Sequence, residues 1–369
     1  MMRRSHALLL LVPSALVLAG LGVLVSATAV SRQGAGTVAL AYPQHFVARH
    51  LFASALAIAT GFAVARLGVA RLLRAAPYFF LLALLAGLAV FVPGVGVHAG
   101  GASRWLHLGP LSGGPAPFLT LGVALLLASW GDRTPPASDD GLPRFVLALA
   151  MTFVAALTLI VHPDFSAAGV TILVALVALA GLGVGGRWLI PAAAALALGL
   201  GLVAAQFRYV GGRWNGFVAP LADRRGKGVE VLALAHARAA AAAGSAGVGL
   251  GHGSTRRWLS SPESDYVFAV IVEELGTFAA AAVVVAWVCI GVGAVVIARR
   301  ALDRRLTALA LAAGTALAAP AALHIAVCTG LVPIIGVTMP FVSYDPAAVL
   351  AAGAEIGIIA AVAGAEAGA

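Results

Sequence analysis

Apolar runs of about 20 residues recur along nearly the whole of this chain, and no other feature narrows its folding options as much. A helix needs about 20 apolar residues to cross a hydrocarbon core roughly 30 Å thick. Run length predicts about ten such segments, near 7–30, 51–70, 78–95, 115–130, 145–161, 167–184, 188–205, 267–298, 306–330 and 346–364. Composition agrees: 62% of the residues are hydrophobic and only 10% are charged. A soluble domain keeps roughly a quarter of its residues charged, so polar surface cannot cover this apolar bulk and lipid must be the solvent. The expected class is an all-α polytopic membrane protein, a single integral-membrane domain over 1–369. Ala and Gly dominate many of the runs, which suits close helix–helix approach in a bundle.

The first run has a competing reading as a signal peptide, because Arg3 and Arg4 precede it and Ala27-Thr28-Ala29 closes it. Its apolar part is too long for an ordinary signal sequence, so it is read as a retained first helix. The chain carries a formal charge of +9, from 23 basic and 14 acidic residues. Such a balance can point to nucleic acid. Here the arginines stand in short clusters between apolar runs, which reads as topology signal and contact with anionic lipid head groups. No nucleic-acid partner is expected. With the N-terminus in the cytoplasm, the inner loops hold Arg3, Arg4, Arg71, Arg74, Arg133, Arg144, Arg187, Arg299, Arg300, Arg304 and Arg305. The short outer loops hold only Arg32, Arg49 and Arg104.

Residues 206–266 then form one long extracytoplasmic loop between the seventh and eighth helices, the only sizeable polar segment. Its cationic excess suits a phosphate-bearing substrate near the outer leaflet, and equally a solvated loop that touches lipid head groups. Its middle, around 229–246, is alanine-rich and helical in pattern, suited to lying along the membrane surface. Cys289 and Cys328 lie in apolar runs without ligand spacing and read as buried free thiols.

The chemistry concentrates in residues 247–276. A Gly-rich stretch leads to Arg256-Arg257, then to the turn Pro262-Glu263-Ser264-Asp265, then to an apolar helix from about Tyr266. Asp265 stands at or just before that helix N-terminus, where an aspartate ordinarily caps free backbone N–H groups. Glu273 and Glu274 fall about two turns inside. Carboxylates at such depth are expensive and call for a cationic partner or a water-filled cavity; a structural pairing is the simpler of the two.

This stretch resembles the first signature of the RodA/FtsW family of peptidoglycan glycosyltransferases, with its Gly-x-Gly-Leu-Gly run, basic segment, Pro-Glu-x-x-Asp turn and Glu-Glu-Leu-Gly. Residues 329–344, Thr-Gly-Leu-Val-Pro-Ile-Ile-Gly-Val-Thr-Met-Pro-Phe-Val-Ser-Tyr, resemble the second. Gly101-Ala102-Ser103-Arg104-Trp105-Leu106 and His162-Pro163-Asp164 resemble two shorter elements, so the likeness covers essentially the whole chain. It implies polymerisation of lipid II at the outer face of the bacterial cytoplasmic (inner) membrane, for elongation or division. One undecaprenyl-pyrophosphate-linked disaccharide is attacked by the sugar hydroxyl of another. By resemblance Asp265 is the essential carboxylate, and a base suits the attacking hydroxyl. Arg104, Arg256 and Arg257 are expected at the pyrophosphate, since guanidinium forks match phosphate oxygens. A divalent cation, Mg or Mn, is a candidate to share that task. Trp105 is expected on a sugar face or as an interfacial anchor. Glu263 and Ser343, within the signatures, are expected at the substrate, and Asp164, Glu273 and Glu274 in structural or cavity-lining roles. The family also implies a class B penicillin-binding protein (a transpeptidase) as partner.

The chain departs from the family pattern in four places. Gly114-Pro115-Ala116-Pro117-Phe118-Leu119-Thr120 stands where the family has Gln-Pro-Ser-Glu-x-x-Lys, which removes an acidic and a basic residue. Apolar residues near 231–237 replace Tyr-Gln-x-x-Gln-Ser. Asp345-Pro346-Ala347 replaces Gly-Gly-Ser, and Asp345 is read as a cap for the last helix with Pro346 at its first position. His324 occupies an Asn position. Two other classes fit the same helices: a lipid-linked precursor flippase or transporter using Glu273, Glu274 or Glu355, and a non-catalytic scaffold for a transpeptidase. No pair of broken helices in matching halves favours the transporter.

Overall fold

The computed structural model describes residues 42–99, 102–108, 111–131, 141–223 and 226–367. The first expected span, 7–30, lies outside them, as do Arg3, Arg4, Arg32 and Arg133. The helices in chain order are α1 (Tyr42–Leu67), α2 (Val69–Ala89), α3 (Ala116–Trp130), α4 (Gly141–Val161), α5 (Phe165–Gly181) and α6 (Gly186–Ala204). They continue as α7 (Arg208–Val218), α8 (Gly228–Ala243), α9 (Val267–Arg300), α10 (Arg304–Cys328) and α11 (Pro346–Ala367). Among the described residues seven helices are long and apolar enough to cross a membrane: α1, α2, α4, α6, α9, α10 and α11. Two shorter apolar helices, α3 of 15 residues and α5 of 17, stand with them.

The helices sort by burial. α3 is buried continuously from Leu119 to Ala128, and α5, α10 and α11 pack around it. α6 buries almost none of its apolar surface in the protein and presents it to lipid. α11 packs most extensively on α1, where Ala57 and Gly61 face Gly353 and Gly357. A β-carbon added at Gly61 would lie 2.8 Å from the carbonyl oxygen of Gly353, and one at Gly353 would strike the Ala57 carbonyl. Small residues four apart on both helices therefore set the distance between the backbones, as in other membrane bundles.

α3 is about 22 Å long at 1.5 Å per residue, which is less than the hydrocarbon thickness. The space above its N-terminus holds a feature that run length did not anticipate. β1 (Gly96–Ala99), β2 (Ala102–Leu108) and β3 (Leu111–Gly113) form a small antiparallel sheet in that order. Ala99 pairs with Ala102 and Leu108 with Leu111. The local signals are the Gly100-Gly101 and Gly109-Pro110 dipeptides, typical of tight connections between strands.

Gly353→Val should lower the thermal midpoint in detergent by several degrees, because overpacking costs about 1–3 kcal/mol. Gly364→Ala, at a glycine with open space around it, should leave the midpoint unchanged. Equal midpoints for both variants would show that the α1–α11 contact does not set stability.

Candidate active site

The site begins with a break in α9. Gly276 has φ 80° and ψ −175°, which interrupts the helix after Leu275; only glycine adopts that conformation without strain. The carbonyls of Glu273 and Glu274 accept instead from Val248 N–H (3.0 Å) and Gly249 N–H (2.9 Å). The side chains of the same two residues complete the attachment. Glu273 accepts from Ser254 N–H (2.9 Å), Ser254 Oγ (3.1 Å) and Thr255 N–H (3.1 Å). Glu274 accepts from Gly251 N–H (3.0 Å) and Gly253 N–H (3.2 Å) and pairs with Arg256 at 2.9 Å. The Gly-rich loop is therefore bound through both carbonyls and both carboxylates of the Glu273-Glu274 pair.

The other end of this half-helix carries Asp265, and the second signature loop clamps it. Ser343 Oγ donates to the Ser264 carbonyl (2.6 Å) and accepts from Met339 N–H (2.8 Å). Tyr344 N–H donates to the Glu263 carbonyl (2.9 Å). His324, fully buried on α10, donates from Nδ1 to the Val337 carbonyl (2.6 Å) and accepts Phe268 N–H at Nε2 (3.3 Å). That bond satisfies one of the orphan amides at the start of α9. The Asp265 carboxylate is therefore free of the capping role that its position suggests: among the described residues it accepts from Ser264 Oγ (3.2 Å) and from no amide of the first turn of α9.

Burial pushes the Asp265 carboxyl up to about 6, with Glu263 and Asp345 acting in the same direction and the Ser264 hydrogen bond and Arg213 charge against it. Gly336, at φ +58°, lies beside this carboxyl. A β-carbon there would stand 3.2 Å from Asp265 Oδ2 and 3.8 Å from the Arg213 guanidinium. Arg213, on α7, lies over the Tyr209 ring at 5.2 Å, and the Tyr209 hydroxyl donates to the Pro163 carbonyl (2.8 Å).

Two adjoining chambers meet here. The larger, about 280 Å³, is lined by Asp265, Asp164, Asp345, Glu355, Arg104 and Trp105, with Thr120 and alanines of α11. The smaller, about 150 Å³, shares Arg104, Asp164 and Ser166 with it and adds Tyr209, Arg213 and Trp214. Arg104 is anchored on the carbonyls of His162 (3.0 Å) and Pro163 (2.5 Å). Asp164 caps α5, accepting from Ala167 N–H (3.0 Å) and Ser166 Oγ (2.8 Å). Asp345 caps α11 through Ala347 and Ala348 N–H (3.1 Å each) with Pro346 as the first helical residue. Thr120, at the position of the family's lysine, is bonded to Thr171 at 2.8 Å.

The structure thus brings Asp265, Arg104, Trp105 and Asp164 together and separates the other expected substrate contacts from them. Arg256 is 4% exposed, turned inward on Glu274 and the Gly251 carbonyl. Arg257 is exposed and lines neither chamber. Ser343 is 1% exposed with its hydroxyl spent on the clamp, and Glu263 enters the clamp through its backbone. Glu273 and Glu274 hold a loop and line neither chamber. Sequence reasoning missed Arg213 as a site residue; its only local signal is the i,i+4 spacing from Tyr209 on a helix. Among the described residues no three His, Cys, Asp or Glu side chains are placed to hold a metal ion. Two of the chamber's carboxylates are engaged as helix caps, so the residues present do not fit a protein-held Mg or Mn site.

Removing one partner of a buried ion pair typically costs about 3–5 kcal/mol. Arg256→Ala should therefore destabilise the protein strongly, and Arg257→Ala should leave its thermal midpoint within about 1 °C. An Arg256→Ala protein of unchanged stability would restore Arg256 as a substrate contact.

Comparison with known proteins places this architecture. The family model described as "Cell cycle protein", covering FtsW, RodA and SpoVE, matches residues 6–367. A probable peptidoglycan glycosyltransferase FtsW of Aromatoleum aromaticum is 32% identical over 311 residues, 83% of this chain and 75% of that protein. The corresponding protein of Halorhodospira halophila is 31% identical over 325 residues, 86% of this chain and 81% of its own. Among solved structures, a chain from a peptidoglycan synthase complex that coordinates polymerization and crosslinking superposes with a TM-score of 0.75 at 22% identity, covering 97% of each chain. The rod shape determining protein RodA of Thermus thermophilus superposes with a TM-score of 0.68 at 22% identity, over 96% of this chain and 95% of its own. With a family match along nearly its full length and the corresponding fold, the chain belongs to the FtsW/RodA/SpoVE family.

Proposed function

We propose that this protein is a peptidoglycan glycosyltransferase that polymerises lipid II, with Asp265 as the base. The observation that carries the reading is the setting of Asp265: a carboxyl raised to about 6, not used as a helix cap, open to a chamber and facing a guanidinium across Gly336. A general base works best with a pKa near the operating pH. The acceptor sugar hydroxyl gives its proton to the Asp265 carboxylate as its oxygen attacks the anomeric carbon of the donor. The new C–O bond forms as the bond to the lipid pyrophosphate breaks, and the electron pair leaves with the pyrophosphate. Arg213 and Arg104 stand on the side of the smaller chamber, where fixed cations stabilise the departing phosphate charge.

The membrane setting follows from the same reading. The site opens at the outer face of the cytoplasmic membrane, the N-terminus is cytoplasmic, and a class B penicillin-binding protein is the partner in the plane of the membrane. The arginine-rich ends of α9 and α10 support this orientation. The losses at Pro117 and Thr120 are compatible with activity, because the Thr120–Thr171 bond satisfies the polar atom left in the wall.

Purified protein, alone and with its transpeptidase partner, should convert lipid II into glycan strands, and Asp265→Asn should lower the rate by about 10²–10⁴-fold with an unchanged thermal midpoint. Glycan synthesis by the Asn variant at the wild-type rate would remove Asp265 from the chemistry. A wild type that makes no strands under either condition would contradict the function.

A further inference from the structure

The larger chamber has an inner end that the proposed chemistry does not use. Ala348, Ala351 and Glu355 follow one another on a single face of α11 and all line it. Glu355 lies about 14 Å along α11 from Pro346 at 1.5 Å per residue, within a span that is otherwise apolar. It is 4% exposed and has no hydrogen-bond or ion-pair partner among the described residues. A carboxyl placed so deep faces a hydrated cavity by default, and here the two small alanines leave it one. Pro320, inside α10, also lines the chamber. Proline carries no N–H, so the carbonyl of Ala316, which also lines the chamber, lacks the amide donor four residues on. The inner end therefore offers acceptors and asks its occupant for donors.

The charges divide the two chambers between the parts of a lipid-linked sugar. The larger is lined by the aspartates Asp164, Asp265 and Asp345, by the Glu355 carboxyl and by one guanidinium, which donates to the His162 and Pro163 carbonyls. Such a lining repels a polyanion. The smaller chamber holds Arg213 beside Arg104 and only one of those carboxylates. On this basis, and resting on the function proposed above, we infer that the acidic chamber receives the uncharged acceptor sugar while the donor pyrophosphate lies toward Arg213. Glu355 then binds the acceptor by accepting hydrogen bonds from its hydroxyl or acetamido N–H groups. A volume of about 280 Å³ is at the small end for ligand pockets and suits a single ring. The ring's reactive hydroxyl meets Asp265 at the outer end as its far side meets Glu355.

The test is steady-state polymerisation of lipid II by the wild type, Glu355→Leu and Glu355→Gln. Leu fills similar space without a polar group, so it does not threaten the fold. It should raise KM about tenfold, the equivalent of a lost hydrogen bond, with kcat within about threefold of wild type. Gln keeps an acceptor oxygen and should recover most of that loss. A KM for Glu355→Leu within about twofold of wild type, with glycan still made, would overturn the inference and leave the proposed function standing. So would a Gln variant no better than Leu, or a loss of kcat and thermal stability at constant KM, which marks a structural role. A wild type that makes no glycan would overturn both.

Discussion

The non-helical backbone at Gly276 and the two glutamates that precede it govern the rest of the site. A continuous helix would consume the Glu273 and Glu274 carbonyls internally and leave the Gly-rich loop without partners. Because the helix breaks, those carbonyls receive Val248 and Gly249, and the carboxylates receive the amides of Gly251, Gly253, Ser254 and Thr255. Carboxylates this deeply buried are stable only when hydrogen-bonded throughout. The half-helix Val267–Leu275 is thereby fixed to the loop at one end and, through His324 and the Ser343 clamp, to the second signature at the other.

This rigidity has an electrostatic consequence at Asp265. The ordinary use of an aspartate before a helix is to cap it, which would hold its pKa low. Here His324 takes Phe268 N–H, and the carboxyl is left with one neutral hydroxyl donor and a nearby guanidinium. Desolvation then dominates and moves the carboxyl into the range where it can exchange a proton near neutrality. The neighbouring carboxylates at 164 and 345 are each tied to amides at the N-terminus of a helix, which holds them in the wall. One scaffold thus gives three aspartates of one cavity two tasks, capping for Asp164 and Asp345 and proton exchange for Asp265, by choosing what each is bonded to.

Much of this was legible in the residues. Run length placed the membrane helices from α1 onward, and the Asp345-Pro346 dipeptide announced the cap of α11 through ordinary N-terminal preferences. The Glu273-Glu274 depth argument pointed to a pairing, and Arg256 supplies it. Hidden were the features that depend on tertiary packing. Arg256 and Arg257 are adjacent and identical in type, yet a single turn of 3₁₀ helix sends one into the core and the other to the surface. Arg213 lies more than fifty residues before Asp265 in sequence and meets it only because α7 folds back over the loop containing Gly336. The small sheet went unseen because its strands are short and sit in a stretch read as an outer loop between two spans.

The account stands on Asp265 ionising near 6, raised by burial and opposed by the Arg213 charge, and the pH dependence of lipid II polymerisation tests this directly. A carboxylate base is competent above its pKa and silenced below it. The rate should therefore fall as pH is lowered through about 6 and level off above about 7. Arg213→Gln removes a charge that favours the ionised form, so it should move that limb to higher pH. A rate independent of pH between 5 and 8, or a limb unmoved by Arg213→Gln, would contradict the assignment of Asp265 as the base.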